Sequence, residues 1–487
     1  MPLLWNLYYN VPMLSRFTQN IIPLIIACAL FMENLDGSII ATALPAIARS
    51  LNTSPIHLNL AITSYMFSLA VFIPLSGWMA DRFGALTIFR AALFIFMLSS
   101  AGCGFSQNLP ELVICRLFQG LGGAMMVPVG RLVLLRTVSK ANLVNAMAWV
   151  TVPALIGPVL GPPVGGFIVT YSSWHWIFFL NIPIGLLGII LATIFIPRVR
   201  EENPGPLDIS GFILMALALA GLVCGFESIG RGILPTSIVV LMLCSGAVFL
   251  GLYIRHTHKL AHPIVDIQLF RIATFRAAAI GGSIFRIGIG ALPFLLPLML
   301  QFGFGLSPLH SGMLTFASAA GAMLMKFSAA RIIRRFGFRR VLTINTYIAS
   351  ACILGIACFR PTTPHYIILG FLLIGGFFRS LQFTSQNTLT YADIPPQLMS
   401  KATTLSSMLQ QFSLSLGVGT GAMLLNFTLG HQGNMTMQAN DFWPAIVGVS
   451  IISCMSVFFF IPLKPDAGSE ISGYPLPPQA VVKRAEP

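Results

Sequence analysis

Long apolar runs constrain this chain more than any other feature. Stretches such as TIFRAALFIFMLSSAGCGF (87–105) and GFILMALALAGLVCGF (211–226) approach or exceed the roughly 18 to 20 residues that a helix needs to cross a bilayer. Fourteen such spans are predicted, at 20–41, 55–79, 86–106, 110–135, 143–170, 175–197, 209–229, 236–255, 277–300, 307–330, 340–359, 365–388, 400–427 and 442–463. Only 9% of the residues are charged, against roughly 25% in a soluble protein. The fold class is all-α integral membrane protein, with the lipid bilayer as its main surrounding.

The formal charge of +14 would suit a nucleic-acid binder, but its distribution decides otherwise. If alternate loops face opposite sides, one side holds twenty Lys and Arg residues and the other only Arg49, Arg231 and Arg360. That is the positive-inside asymmetry. It predicts an even span count with both termini in the cytoplasm, and no nucleic-acid partner. The first span is interrupted by Glu33 and Asp36 and lacks a cleavage site, so no removable signal peptide is expected. All eight cysteines lie in apolar spans without a C-x-x-C pair, which indicates neither a disulfide framework nor a metal site. The Pro-rich, polar stretch 464–487 is expected to be a disordered cytoplasmic tail.

An internal repeat organises the spans. SPIH at 54–57 and RFG at 82–84 return as SPLH at 307–310 and RFG at 335–337, both at an offset of 253 residues. Ser before Pro marks a helix start, and the Gly of each RFG marks a tight turn at the helix end. Two similarly oriented six-span units follow, spans 1–6 and 9–14, joined by an inserted pair. Parallel six-span halves are the build of alternating-access transporters, whose substrate site lies near mid-membrane. The expected organisation is an N-terminal segment (1–19), a six-helix bundle (20–200), two inserted helices with a linker (201–276), a second bundle (277–463) and the tail (464–487).

Four motifs give a family resemblance. GWMADRFGALTIFR (77–90) resembles the loop 2–3 signature of the major facilitator superfamily, with Gly77, Asp81, Arg82 and Gly84 in register. RLFQGLGGAMMVPVGR (116–131) resembles its fourth-span motif and GPVLGPPVGG (157–166) its antiporter motif. LDGSIIATALP (35–45) and WHWIFFLNIP (174–183), with fourteen spans, are similar to the EmrB/QacA drug:proton antiporter group and its MdtD-type members. The resemblance implies two six-helix bundles plus two inserted helices, and proton-coupled export of small organic molecules.

Each motif also has a physical reading. Asp81 is placed to meet the positive end of a helix dipole near Ser400 and latch the cytoplasmic side, although Arg334 replaces it in the second copy. Gly157, Gly161 and Gly165 recur every four residues on one face, a close-packing pattern, while Pro158, Pro162 and Pro163 bend the helix. The antiporter resemblance adds that this face forms a leak-tight seam between the halves.

Charges inside spans are costly and line cavities or find partners. Glu33 and Asp36 are three apart and share a helix face, and Arg116 lies at nearly the depth of Asp36. Burial favours the neutral carboxyl and a nearby Arg116 the charged one, so motion between states can bind and release a proton; a static ion pair is the plainer reading. Arg131 and Lys326 sit near the cytoplasmic ends and are expected to snorkel. Arg286 and Arg379 lie near mid-membrane with no acid in their half, which suggests an anionic group in the cargo. Shifted by 253 residues, Arg286 falls on Glu33. Asn34, Tyr65, Gln119, Phe285, Gln382, Asn387, Gln410 and Gln411 complete the candidate pocket, though single aromatics more often pack than bind.

These features predict an antiporter of the bacterial inner membrane that exports small amphipathic molecules or drugs for protons, without cofactor or metal and as a monomer. About 2.3 kcal/mol per charge per 100 mV is a sufficient drive, roughly fiftyfold accumulation. An exporter of organic anions, such as carboxylates or metal chelates, is the alternative that Arg286 and Arg379 favour. A membrane receptor or enzyme is disfavoured: no G-x-x-x-x-G-K-[ST], H-E-x-x-H or G-x-S-x-G occurs.

Overall fold

Every stretch of apolar backbone that enters hydrocarbon must satisfy its amides internally, and the computed structural model is accordingly helical, with no strand among the described residues. These are residues 12–53, 55–197, 205–229, 234–258, 260, 263–432 and 438–474. Residues 1–11 of the expected N-terminal segment, Ser54 of the first helix start, 475–487 of the expected tail and the side chains of Pro158 and Pro162 lie outside the description.

The chain divides into two compact units, Met1–Pro206 and Leu207–Pro487. In the first, α1 (Pro12–Ser50) is followed by α2 (Pro55–Phe72), α3 (Ser76–Phe83), α4 (Ala85–Phe105), α5 (Leu109–Thr137), α6 (Leu143–Tyr171), α7 (Trp176–Phe179) and α8 (Asn181–Phe195). In the second, α9 (Ile209–Ser228) and α10 (Thr236–Thr257) precede α11 (Ala273–Arg276), α12 (Gly282–Gly290), α13 (Leu292–Leu298), α14 (Pro308–Lys326), α15 (Ala329–Ile356), α16 (His365–Thr390), α17 (Met399–Gln432), α18 (Phe442–Met455), α19 (Val457–Phe460) and α20 (Ser469–Ser472).

Local chemistry sets the ends. Ser307 caps α14 by accepting the His310 N–H, with Pro308 in the first turn. Asn108 caps α5 by accepting the Glu111 N–H at 3.0 Å, and the Glu111 carboxylate takes the Gln107 N–H at 2.8 Å in return. The two RFG glycines share one unusual backbone: Gly84 has φ 91° and ψ 135°, Gly337 φ 73° and ψ 160°. Only glycine adopts that region without strain.

The repeat extends to packing. In the first unit α1 lies along α6, α2 along α5 and α4 along α8; in the second, the corresponding pairs α12 with α17, α14 with α16 and α15 with α18 pack together. The inserted pair α9 and α10 pack on each other, and α9 also packs on α17, with Phe226 against Phe412 at 5.8 Å.

A helix covers each of the fourteen expected ranges, but the count of fourteen spans is not established. Among the described residues ten helices are long and apolar enough to cross a membrane, or up to eleven if the pair His310–Lys326 and Ala329–Ile356, bent by 83°, counts as one span.

Within the expected tail, residues 464–474 pack against the second unit. Ile471 is buried at 3% exposure, and Gly468 sits against Phe338 and Leu389 while Tyr474 lies over Gly337. Composition alone hid these few apolar anchors among the prolines of the segment.

Candidate functional site

The first unit encloses a buried ion pair. Arg116 Nη1 donates to Asp36 Oδ2 at 2.6 Å, and both side chains are 1% exposed. α1 supplies the acid and α5 the base. Gln119, one turn along α5, donates to Asp36 Oδ1 at 3.0 Å and accepts from Arg116 Nη1 at 2.7 Å. Asn181, at the start of α8, donates to the same Oδ1 at 2.9 Å and to Ser100 Oγ at 2.9 Å. Arg116 Nε reaches the Ala61 carbonyl at 3.3 Å, and its guanidinium lies 4.5 Å from the Tyr65 ring centre. Ile39, Ile40, Ala43, Leu58, Ala61, Leu112, Trp174 and Phe178 form an apolar cluster around the adjoining turns of α1. This arrangement keeps water from the pair and strengthens it.

The structure thus joins Gln119 and Tyr65, expected only as pocket residues, to the Asp36–Arg116 pair that the two spans placed at equal depth. It also adds Asn181 and Ser100. Asn181 stood in WHWIFFLNIP, and a lone Asn in an apolar run was the available signal.

Other candidates fall elsewhere. Glu33 Oε2, Tyr65 Oη and Arg131 Nη1 are buried side-chain atoms with no hydrogen-bond partner. Arg131 is 8% exposed, so it does not snorkel. Asn34 spends its amide on the Leu30 carbonyl of its own helix at 2.8 Å. Gly157 and Gly161 pack on α1: a Cβ at Gly157 would fall 2.9 Å from Asn34 Cβ, and one at Gly161 would overlap Ser38. Ser38 Oγ closes the contact on the Gly157 carbonyl at 3.2 Å. The glycine face therefore serves a contact inside the first unit, and α6 runs unbroken through its prolines.

In the loop motif, Gly77 and Gly84 are buried and Arg82 is exposed. Asp81 accepts from Arg136 Nη2 at 3.0 Å, which ties the loop to the end of α5. Trp78 Nε1 donates to the Gly205 carbonyl at 2.9 Å.

The second unit carries its own polar bridge on the corresponding helices. Arg286 of α12 donates to Asn387 Oδ1 of α16 at 2.9 Å, and Gln410 of α17 donates to the same oxygen at 2.9 Å. The Arg286 guanidinium lies 5.6 Å from the Phe383 ring centre, and buried Phe285 meets Phe383 edge-on at 6.2 Å. Arg379 donates to Ser318 Oγ at 2.7 Å. Both arginines lacked an acid in the sequence reading, and here each has a neutral oxygen as acceptor. Gln382 is used between helices, accepting from Asn345 and donating to Thr346, each at 2.7 Å.

Two repeated helical bundles in a membrane, one holding a buried carboxylate on a guanidinium, have the build of a secondary transporter. This chain belongs to the Major Facilitator Superfamily, whose family model matches residues 26–418, and it is a multi-pass membrane transporter of small molecules rather than an enzyme. It is 38% identical over 439 residues to the "Putative multidrug resistance protein MdtD" of Citrobacter koseri, covering 90% of this chain and 92% of that one. The Escherichia coli O6:H1 protein of the same name is 41% identical over 402 residues, covering 82% and 85%. Among solved structures, the human organic anion transporter MFSD10 superposes with a TM-score of 0.66 at 15% identity, covering 91% of this chain and 99% of that one. The proton:xylose symporter XylE gives 0.64 at 14% identity, covering 94% and 99%. At such identities these two show the shared fold alone.

Proposed function

We propose that this chain exports small amphipathic organic molecules, drugs among them, in exchange for protons by alternating access. Its place is the bacterial inner membrane, with both termini in the cytoplasm, as the charge asymmetry of its loops supports. The single observation that carries the proton half is the Asp36–Arg116 pair with Gln119 and Asn181. One cationic and two amide donors complete the hydrogen bonding of this carboxylate. Any movement of α1 against α5 or α8 removes donors from Asp36, and proton exchange is assigned to that displacement. Names of the relatives support the cargo class.

Glu33, beside Asp36 on α1, and the α3–α4 loop held by Asp81 and Arg136 are assigned supporting roles, in proton handling and in the choice between states. Arg286, Asn387 and Gln410 are assigned to cargo contact in the second unit. The test is export of ethidium by proteoliposomes under an imposed pH gradient. The reading requires accumulation that collapses with an uncoupler; uptake equal to that of empty liposomes, or unaffected by the gradient, would sink it.

A further inference from the structure

Two cysteines that the transport reading leaves unused meet beside the ion pair. Phe96 of α4 crosses α5 at Gly122, where a Cβ would fall 2.8 Å from the Phe96 nitrogen, and Gly102 crosses at Cys115, where a Cβ would fall 2.7 Å from Cys115 Sγ. The same antiparallel register sets Cys103 opposite Cys115. Cys103 belongs to the buried apolar cluster around α1, and Cys115 packs against that cluster. Cys103 Sγ also donates to Gln119 Oε1 at 3.8 Å. Cys103 is buried and Cys115 half-buried, so one sulfur reaches the protein surface and the other has a line to the site. Gln119 in turn donates to Asp36.

We propose that Cys103 and Cys115 are a peroxide-sensitive pair whose disulfide slows transport by disturbing Gln119. The Cys115 sulfur attacks hydrogen peroxide, forming an S–O bond as the O–O bond breaks, and its proton leaves with the released hydroxide as water. The Cys103 sulfur then attacks the sulfenic sulfur, forming S–S and breaking S–O, and its proton leaves with the second oxygen as water. Two thiols and one peroxide give one disulfide and two waters, with the two electrons passing to the peroxide. Bonding draws the sulfurs to about 2.05 Å, so Cys103 loses both the proton and the position it offers Gln119 Oε1. A relaxed inter-helix contact becomes a covalent staple beside the Asp36 network.

The proposal's transport half rests on the function proposed above, so the experiment separates them. Full-length protein in proteoliposomes is treated with hydrogen peroxide, digested without reductant and analysed by mass spectrometry, while gradient-driven ethidium export is followed in parallel. A linked Cys103–Cys115 peptide is expected, with export at least threefold slower and restored by dithiothreitol. Cys115→Ala should export as the wild type does and ignore peroxide. Absence of the linked peptide, equal inhibition of Cys115→Ala, or a linked protein that exports at the full rate would each overturn the proposal. A wild type that moves no ethidium before oxidation instead fails the transport reading, while the mass spectrum still reports on the bond.

Discussion

A charge held in hydrocarbon needs a complete set of partners, and Asp36 shows how few residues supply one. Arg116 neutralises it, while Gln119 and Asn181 fill Oδ1. Removing one member of a buried pair costs about 3–5 kcal/mol when the other is left uncompensated. Yet a protonated Asp36 is neutral too, so a protein that works by protonation must tolerate that state with Arg116 still held by Ala61, Gln119 and the Tyr65 ring. Asp36→Asn is therefore expected to fold. Asn181→Leu should keep the ion pair but lower gradient-driven export about tenfold, equivalent to about 1.4 kcal/mol; an unchanged rate would show that Asn181 is packing only. Glu33→Gln should be milder than Asp36→Asn, because Glu33 Oε2 has no hydrogen bond to lose. Complete loss of export in Glu33→Gln, with the protein folded, would move the proton site to Glu33. The pairing of Asp36 with Arg116 was legible from equal depth in two spans. Asn181 offered only the signal of a lone Asn in an apolar run, with no spacing to tie it to Asp36.

Helices in lipid gain no hydrophobic drive from meeting each other, so close packing decides their contacts. The α1–α6 seam is made by Gly157 and Gly161, and their four-residue spacing was readable, but not which helix they faced. Gly161→Leu would drive a side chain into Ser38 and the Ile39 backbone. A loss of about 1–3 kcal/mol is expected from overpacking, read as a lower unfolding temperature in detergent; an unchanged temperature would mean that the seam can open freely. At the start of α9, Asp208 accepts the Gly211 N–H at 2.8 Å and meets His256 of α10 at 3.0 Å. Burial alone would raise the Asp208 pKa, but the hydrogen bonds from His256 and Gly211 outweigh it and leave the carboxyl below its usual value. Its stabilisation of the α9–α10 hairpin is therefore full above the unfolded value of about 3.9 and is lost as pH falls through the lower folded value. Asp208→Ala should destabilise the hairpin by about 1 kcal/mol at neutral pH through its lost cap, and the difference from wild type should vanish in strong acid. A difference that persists there would assign Asp208 a role independent of its charge.

Across the molecule, the offset of 253 residues in the sequence reappears in each unit as the same helix pairings and the same positive-φ turn at RFG. Long apolar runs and paired motifs made this architecture legible, because both arise from local residue choice. Polar partners that cross between helices were less so: Asn345 and Thr346 claim Gln382, and Arg136 claims Asp81, through tertiary contacts that no periodicity records. The Asp81–Arg136 bond holds the α3–α4 loop to the end of α5, so Asp81→Asn should shift the balance between states. A cysteine introduced on the cargo side of the second unit should then label faster from the cytoplasmic side; equal labelling from both sides would remove Asp81 from the switch. Coupling in this transporter depends on whether Asp36 carries the proton. The most direct measurement compares two modes of ethidium movement in proteoliposomes bearing wild type or Asp36→Asn: export driven by a pH gradient, and exchange of internal for external dye without one. Exchange moves no net proton, so the variant should retain it while losing gradient-driven export and the accompanying alkalinisation or acidification of the lumen. Gradient-driven export at the wild-type rate by Asp36→Asn would contradict the account.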